Sequence, residues 1–530
     1  MKIIYFLPIC LFLICNTHLT SAQEIASALL PMPNRVEQFQ GKPFSISDPQ
    51  TVIYTNRPEL EFAARSLQKI FQERMQVKVS LSQSDRAAIR LLIDPAINEK
   101  EHYRIQVNSS GMTISGASVA AIYYGVMTVD QLLLGDHCTT LQKKMQPIFI
   151  DDSPRFSYRA LMLDPARHFL PVDDVKLFID QMVRYKFNIL QLHLTDDQGW
   201  RIEIKKHAQL ADKKHYTQEQ ILDLIRYAAE RNVEIIPELD IPGHTTAILK
   251  VMPELGCVGI NDTLPKVPGQ FDKMLCANSE KVYEIYQDII REVSALFPSR
   301  YIHLGGDESQ IEKNWAKCPR CRTLMQEAGY KEASQLMIPF FKRMLTFVKE
   351  NGKTPILWCE LDNIYPPAKE YLFPYPKEVT LVSWRGGLTP TCLELTRRHG
   401  NPLIMAPGEY AYLDYPQLEG DLPEFNNWGM PVTTLEKCYQ FDPGYGVPTQ
   451  DQKHIQGIMG TLWGEAIPDI NRVTYMTFPR ALALAEAGWT QMEHRSWESF
   501  KQRLYPNLTH LIKEGVSVRI PFEIVKREIE

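Results

Sequence analysis

The stretch YIHLGGDES at residues 301–309 begins with apolar, β-prone side chains and ends with two glycines and two adjacent carboxylates. It predicts a buried strand that leaves a hydrophobic core and carries Asp307 and Glu308 at its C-terminal end, where glycine lets backbone or ligand approach closely. In barrels of alternating strands and helices, the chemistry lies at that end of the strands. A solvated acidic turn is the alternative interpretation, so the pattern of the whole chain has to decide between them.

The same pattern, a short apolar run that ends in polar residues, recurs from about residue 156 onward and alternates with stretches of helical spacing. Alternation of this kind implies parallel strands joined by right-handed crossovers. Eight units in about 330 residues predict a closed (β/α)8 TIM barrel of the α/β class, with a doubly wound open sheet as the alternative. The eight runs are Ala160–Asp164, Ile189–Asp196, Val233–Asp240, Tyr301–Glu308, Pro355–Glu360, Thr380–Arg385, Leu403–Glu409 and Ile455–Glu465.

The remaining segments are assigned around this barrel. Residues 23–150 mix strand and helix patterns with a hairpin signal at Asn108–Gly111, and they predict a small α+β domain that precedes the barrel. Prolines 147 and 154 mark the boundary, which gives the catalytic barrel residues 151–495. Residues 496–530 are expected to form a C-terminal helix and tail.

Residues 1–22 predict a secretory signal peptide. Lys2 gives a positive start, residues 3–15 form an apolar run, and the small residues before position 23 predict cleavage after Ala22. A membrane anchor is the alternative, but the run is shorter than the roughly 20 residues that a span requires. Ile14 before Cys15 disfavours lipidation there. We therefore expect an exported protein, periplasmic or secreted, without a membrane span.

The net charge and the cysteine content narrow the possible functional classes of the protein further. The formal net charge of −5 gives no basic footprint for nucleic acid. An exported protein can form disulfides, and Cys257 and Cys276, which bracket a polar loop, are the best candidate pair. The motif CPRC at residues 318–321 resembles half a zinc site, but the chain has no second CxxC. This favours a local disulfide or two free thiols over a metal.

Polar and aromatic side chains stand at the ends of the predicted strands, where a barrel would bring them together. Aromatic faces suit the apolar faces of a sugar ring, and carboxylates with arginine suit its hydroxyl groups. The strand-end side chains are Arg167, His168, Asp196, Asp197, Asp240, His244, Asp307, Glu308, Trp358, Glu360, Trp384, Arg385, Tyr412, Asp414, Trp463 and Glu465.

Four sequence blocks give a specific resemblance: LMLDPARHF at residues 161–169, HLTDDQGW at 193–200, PGH at 242–244 and HLGGDE at 303–308. Together they resemble the signature blocks of glycoside hydrolase family 20, the β-N-acetylhexosaminidase family. The resemblance covers nearly the whole mature chain, and the N-terminal region resembles the small domain that precedes the barrel in that family. Ordered blocks in one chain are far more specific than a single motif.

The resemblance implies an exo-acting, retaining enzyme that releases terminal non-reducing β-linked N-acetylglucosamine or N-acetylgalactosamine from glycans, without a cofactor or a catalytic metal. The family is an exception to the retaining mechanism with a carboxylate nucleophile. The substrate's own acetamide oxygen would attack the anomeric carbon and give an oxazolinium intermediate. Glu308 would protonate the leaving oxygen and later activate water, while Asp307 would orient the acetamide and offset its developing positive charge.

The remaining roles implied by the resemblance concern binding. Trp358, Trp384 and Trp463 would wall the acetamide pocket, and Tyr412 would donate to the acetamide oxygen. Arg167, Asp414 and Glu465 would grip the ring hydroxyls, because charge-assisted hydrogen bonds orient strongly. Asp196 and His244 would link to Glu308 and tune its proton affinity. Asp197, Tyr410 and Tyr415 are the alternatives for Asp196 and Tyr412.

Two other functions compete with this interpretation. A metal-dependent hydrolase could use His193, Asp196, His244, His303 and Asp307, which are ligand types for zinc. A non-catalytic sugar-binding protein on an enzyme scaffold is the second, since a fold does not fix a function. The sequence leaves the linkage, the preference between gluco and galacto epimers and the oligomeric state open.

Overall fold

The computed structural model describes residues 26–47, 51–134, 138–139, 143–260, 273–359, 375–386, 389–421 and 430–525. The predicted signal segment 1–22 and Glu360 lie outside these residues. None of the helices in the described part is long and apolar enough to cross a membrane.

Eight parallel strands form a closed barrel, as predicted from the sequence, and the open-sheet alternative is wrong. The last strand pairs with the first, in a register that runs from Gly457 opposite Tyr158 to Leu462 opposite Leu163. The strands are buried along most of their length, which explains why they read as apolar runs rather than as alternating patterns. Their bounds are Tyr158–Leu163, Ile189–Thr195, Glu234–Leu239, Tyr301–His303, Thr354–Trp358, Thr380–Ser383, Leu403–Met405 and Ile455–Leu462.

The fourth strand is shorter than predicted, and this corrects the position of the two acids. It ends at His303, and Asp307 and Glu308 lie in the turn that follows. Gly305, Gly306 and Glu308 have φ values of 65°, 104° and 45°, which no strand adopts. Because of this turn, the alternation of faces along a strand does not separate the two carboxylates.

Helices follow the barrel strands and cover the outside of the barrel. The helix after the second strand begins with a capping box, in which Thr217 and Gln220 each accept a hydrogen bond from the other's backbone N–H. After the fourth strand, the helix Pro319–Glu327 is followed by a 3-10 turn, Ala333–Leu336, which continues directly into the α-helix Met337–Glu350. The principal helices of the barrel are Val172–Arg184, Gln218–Glu230, Glu280–Leu296, Pro319–Glu327, Met337–Glu350, Thr389–His399, Ile470–Thr477 and Arg480–Trp489.

The N-terminal region forms a seven-stranded mixed sheet with the helices Glu61–Met75 and Val119–Leu132 packed on it. A separate small sheet joins Phe44–Ser45, Lys144–Met145 and Cys138–Thr139. In spatial order, the strands of the large sheet are Arg35–Gln38, Ile148–Asp152, Tyr103–Asn108, Gly111–Gly116, Ile89–Ile93, Val52–Thr55 and Ser80–Ser82.

A buried polar cluster joins this domain to the barrel. Asp152 of the sheet accepts hydrogen bonds from Tyr103 Oη at 2.5 Å, from Lys186 Nζ at 3.1 Å and from Trp489 Nε1 at 3.0 Å. Lys186 and Trp489 belong to the barrel, so the carboxylate holds the two domains together through charge-assisted hydrogen bonds.

The C-terminal helix Trp497–Lys513 packs back onto the start of the described chain. Arg503 Nη1 donates to the carbonyl of Leu29 at 2.8 Å, and Asn507 Nδ2 donates to the carbonyl of Ala28 at 2.9 Å. The chain then continues to a short helix, Phe522–Val525. The two ends of the described chain are therefore held against each other.

Candidate active site

A chain of charged contacts crosses the C-terminal end of the barrel, and side chains from the first four strand ends contribute to it. Arg167 Nη2 lies 2.9 Å from Asp196 Oδ2, and the same oxygen lies 3.2 Å from His244 Nδ1. His244 Nε2 lies 3.7 Å from both Asp307 Oδ2 and Glu308 Oε2. Residues that are far apart in the sequence thus form one connected network.

Asp240 contacts and holds the turn that carries Asp307 and Glu308. Asp240 Oδ1 accepts a hydrogen bond from Gly306 N at 3.2 Å. A Cβ atom at Gly305 would lie 1.7 Å from the same carboxylate oxygen, so only glycine fits there. His303 Nδ1 accepts from Gly305 N at 3.0 Å. Burial lowers the pKa of His303 to about 4, which leaves that nitrogen free to accept.

Asp307 is buried, and its Oδ1 atom meets no hydrogen-bond partner in the described part of the chain. Burial is the main reason that the pKa of Asp307 is raised to about 6, and the neighbouring Glu308 carboxylate adds to the rise. His244 opposes it. The site therefore holds a carboxylate with one oxygen available to a ligand.

Glu308 is half-buried and makes a direct ion pair with Arg385, whose Nη2 lies 2.9 Å from Glu308 Oε1. Its other oxygen faces His244. The Arg385 guanidinium also lies 3.9 Å from the centre of the Trp384 ring, within cation–π range. The sequence placed Arg385 at a strand end but gave it no role, because nothing in the sequence shows that the sixth strand end faces the fourth.

Asp196, rather than Asp197, is the residue in the network. Burial raises the pKa of Asp196, but Arg167 and His244 outweigh burial and hold it well below its ordinary value. Asp197 instead accepts from Thr246 N at 2.8 Å. Burial lowers the pKa of His244, yet Asp196 and Asp240 hold it well above its ordinary value, so the imidazole carries a proton and a positive charge.

Beneath this network lies a second buried group that the sequence reasoning missed. Glu238 Oε2 lies 3.0 Å from His193 Nδ1, and Glu238 Oε1 accepts from Trp358 Nε1 at 2.8 Å. Burial raises the pKa of Glu238, but the imidazoles of His303 and His193 bring it down to about 2. A glutamate inside the apolar run IIPEL at residues 235–239 was the available signal, since a buried charge requires a partner.

Four aromatic residues form a wall beside the acids. The rings of Trp358 and Trp463 are 5.7 Å apart and those of Tyr412 and Trp463 are 6.3 Å apart, and Trp384 packs in the same cluster. Neither the Tyr412 hydroxyl nor Trp384 Nε1, both buried, meets a hydrogen-bond partner of standard geometry among the residues described. Their polar atoms therefore accompany Asp307 Oδ1 as buried groups open to a ligand.

The two alternative tyrosines occupy different positions relative to the aromatic wall. Tyr410 stacks on Phe441 at 5.6 Å, outside the aromatic wall, and Tyr415 packs edge-on against Tyr412 at 5.2 Å. The structure therefore favours Tyr412 as the tyrosine of the wall.

Asp414, Glu465 and Arg167 lie at the meeting of the seventh, eighth and first strand ends. Glu465 Oε1 is 3.8 Å from Arg167 Nη2. Burial, with the nearby Glu465 carboxylate, raises the pKa of Asp414 to about 8, so this acid is mostly neutral at pH 7. Burial also raises the pKa of Glu465. These groups combine a fixed cation with acids that can donate or accept, which suits hydroxyl groups.

Several carboxylates and imidazoles at the site stand close enough to share a cation, as the metal-hydrolase alternative requires. One such group is Asp240, His244 and Asp307. In the neighbouring group of Asp196, Asp197 and His244, the negative charge of Asp196 already has protein partners, because Arg167 and His244 both pair with it. A metal ion would compete with these cations for the same oxygens.

The chain matches two models of one family. Residues 156–492 match glycosyl hydrolase family 20, catalytic domain, and residues 26–153 match domain 2 of that family. A β-hexosaminidase of Akkermansia muciniphila is 36% identical over 456 residues, covering 82% of this chain and 89% of that protein. A β-hexosaminidase of Vibrio furnissii is 32% identical over 488 residues, covering 87% of this chain and 76% of that protein.

Solved structures of the family have the same fold. The family 20 exo-β-N-acetylglucosaminidase from Vibrio harveyi, in complex with N-acetylglucosamine, has a TM-score of 0.81 and 30% identity and covers 94% of this chain and 79% of its own. A mutant β-hexosaminidase of Streptomyces plicatus, in complex with the product N-acetylglucosamine, has a TM-score of 0.78 and 26% identity, covering 94% and 97%. Because the match extends over both domains, this chain belongs to glycosyl hydrolase family 20 and is a glycoside hydrolase with β-hexosaminidases as its homologues.

Proposed function

We propose that the protein is an exo-acting, retaining β-N-acetylhexosaminidase that cleaves terminal non-reducing β-linked N-acetylglucosamine or N-acetylgalactosamine from glycans by substrate-assisted catalysis. One observation carries the proposal. Asp307 Oδ1 and the Tyr412 hydroxyl are buried polar atoms without standard partners in the described chain, and they stand beside three tryptophans. An acetamide group offers an N–H donor to the first, a carbonyl acceptor to the second and a methyl group to the aromatic wall.

In the first step, the acetamide oxygen attacks the anomeric carbon while the glycosidic C–O bond breaks. Glu308 gives its proton to the leaving oxygen. The acetamide nitrogen becomes part of a positively charged oxazolinium ring, and ionised Asp307 accepts its N–H and offsets the charge. This stabilisation grows as the positive charge develops. It therefore stabilises the transition state more than the ground state and lowers the activation barrier.

In the second step, Glu308 takes a proton from water, which attacks the anomeric carbon and opens the oxazolinium ring. The pair with Arg385 at 2.9 Å stabilises the ionised Glu308 that this step starts from. Two displacements at one carbon give a product with retained configuration. His244, positively charged and 3.7 Å from both acids, orients them and limits their mutual repulsion.

Binding of a terminal residue is assigned to the charged groups at the first, seventh and eighth strand ends. Arg167, Asp414 and Glu465 offer donors and acceptors to ring hydroxyls at a fixed position. The Vibrio harveyi relative is an exo-β-N-acetylglucosaminidase, which supports exo-action here. Residues 1–22, read as a signal peptide, lead us to propose that the enzyme acts after export, in a periplasm or outside the cell.

Asp307→Asn tests the mechanism. The variant keeps the size of the side chain but loses the charge that offsets the oxazolinium. We expect kcat on a chromogenic N-acetylglucosaminide to fall about 10²–10³-fold with a smaller change in KM, because the interaction is made mainly in the transition state.

Two substrates provide the controls for this test. A glucoside with a plain 2-hydroxyl group should be nearly inert towards the wild type, because it lacks the nucleophile. NMR of the released sugar should show the β anomer first. A covalent ester trapped on Asp307 by a fluorosugar, or equal turnover of the 2-hydroxyl glucoside, would make Asp307 an ordinary nucleophile and refute the mechanism.

A further inference from the structure

Four cysteines outside the active site come together from two loops of the barrel. Cys257 and Cys276 lie in the loop after the third strand, and Cys318 and Cys321 lie at the start of the helix Pro319–Glu327, in the loop after the fourth strand. Three of them are fully buried and Cys257 is half-buried. They account for every cysteine of these two loops.

The distances between the sulfur atoms match one kind of site. The Sγ of Cys276 lies 3.6 Å from that of Cys321 and 4.0 Å from that of Cys318, and Cys257 Sγ lies 3.9 Å from Cys321 Sγ. All four sulfurs lie within 4.8 Å of one another. Four thiolates around one zinc ion at about 2.3 Å each stand about 3.8 Å apart along the edges of a tetrahedron. A disulfide would bring two of them to about 2.05 Å.

We propose that Cys257, Cys276, Cys318 and Cys321 form a structural zinc site. The ligand set is closed, since four protein sulfurs complete a tetrahedron and leave no open position for chemistry. The sequence disfavoured a metal because there is only one CxxC. The second pair of ligands, Cys257 and Cys276, comes from residues 19 positions apart, which the fold brings together and no local motif reveals.

The backbone around the cluster supports a built site. Leu275 pairs with Gly256 across an antiparallel bridge, and Cys276 N donates to the carbonyl of Leu255 at 2.9 Å. This pairing sets Cys257 and Cys276 side by side. Across the cluster, Asn278 Nδ2 donates to the carbonyl of Arg320 at 2.8 Å, so the two loops are also joined by a polar contact beside the sulfurs.

The position of the site indicates what the zinc does. Leu275 N, one residue before a ligand, donates to the carbonyl of Pro242 at 3.0 Å, and Pro242 lies two residues before His244. Trp315 Nε1 donates to the carbonyl of Leu275 at 2.8 Å, and Trp315 follows the turn with Asp307 and Glu308. Zinc would therefore fix the loop that carries His244 against the loop that carries the two acids, without touching the substrate.

The direct test is the metal content of the full-length protein, purified without chelator and measured by inductively coupled plasma mass spectrometry. We expect one zinc per chain in the wild type, and loss of that zinc in Cys276→Ser and Cys318→Ser. Cys438→Ser is the matched control, because Cys438 is buried elsewhere in the barrel. His244→Ala is the second control: it should keep its zinc, which separates this site from the histidine and carboxylate donors of the active site.

A spectroscopic measurement on the wild type keeps the proposal testable if the serine variants fold poorly. Protein produced with Co²⁺ should show thiolate-to-cobalt charge-transfer bands and the intense d–d bands of tetrahedral cobalt. Alkylation under denaturing, non-reducing conditions after metal removal should label all four cysteines. Two disulfides among them, iron in place of zinc, or zinc that stays bound in the cysteine variants would each overturn the assignment.

Discussion

Two buried charged clusters in this protein are built differently. At the domain interface, both oxygens of Asp152 accept hydrogen bonds, from donors that include Tyr103, Lys186 and Trp489. At the barrel mouth, Asp307 is also buried, yet one of its oxygens meets no donor in the described chain. Burial lowers the pKa of Lys186 and raises the pKa of Asp307, so each cluster contains a group whose charged form is disfavoured by burial.

The difference separates stability from function. A buried polar group that is fully paired contributes to a unique packing of the two domains, and removal of a partner leaves the other one stranded. A buried polar group without a partner destabilises the free protein, and it gains its partner when substrate binds. Substitutions in the two clusters should therefore have opposite effects on folding and on catalysis.

The largest effect is expected from Glu308→Gln. Loss of the proton donor should reduce kcat about 10²–10⁴-fold on substrates with poor leaving groups, while the melting temperature stays close to that of the wild type. An activated aryl leaving group needs little protonation, so the loss on such a substrate should be smaller. Equal losses on both substrate types would show that Glu308 is not the general acid.

Lys186→Met should have the opposite effect. It removes one partner of a fully buried ion pair, which costs about 3–5 kcal/mol of unfolding free energy in comparable cases. The folded fraction should retain the kcat/KM of the wild type, since Lys186 lies far from the strand ends that carry the acids. Urea unfolding followed by tryptophan fluorescence measures the first quantity, and initial rates measure the second.

A surface pair serves as the control for this comparison. Lys176 pairs with Asp223 at 2.6 Å, but both side chains are partly exposed. Lys176→Met should therefore change the unfolding free energy by no more than about 1 kcal/mol. A similar loss in both lysine variants would mean that the interface cluster has no special role in stability.

The smallest effect concerns pH. The pKa of Asp307 is raised from 3.8 to about 6, and the proposed mechanism requires this acid to be ionised when it accepts the acetamide N–H. The kcat/KM of the free enzyme should therefore fall as the pH drops below about 6. Because the folded pKa lies above the unfolded one, the contribution of Asp307 to stability is present at low pH and is lost as the pH rises through about 6.

Asp307→Asn removes both pH effects. The acidic limb assigned to Asp307 should disappear from the residual kcat/KM, and the gain in melting temperature over the wild type should be larger at pH 7 than at pH 4. A limb that persists unchanged in this variant would assign it to another carboxyl group of the network.

The barrel was predictable because strands buried on both faces read as apolar runs, and parallel strands must all end at one rim. The same geometry allowed Arg167, Asp196, His244 and Glu465 to be predicted as neighbours, although more than 290 positions separate the first from the last. The family resemblance then supplied their roles.

Three features could not be predicted from the sequence, each for a physical reason. The turn after His303 depends on positive φ values that glycines permit but do not require. The pairing of Glu238 with His193 depends on which faces of two neighbouring strands point inward. The four-cysteine cluster depends on two loops folding against each other, and long-range contacts of this kind leave no local periodicity.

Gly305 has a consequence for how this protein can evolve. A side chain at that position would collide with both the carboxylate and the backbone Cα atom of Asp240, so a substitution at residue 240 alone would not make room for it. A single substitution at Asp307 or Glu308 would change one of the two proposed catalytic groups and leave Gly305 unchanged. Under the proposed mechanism, one substitution at either acid would remove a catalytic group, whereas reshaping the turn would also require the backbone at Asp240 to move. Descendants that lose activity should therefore arise more readily than descendants that rearrange this turn.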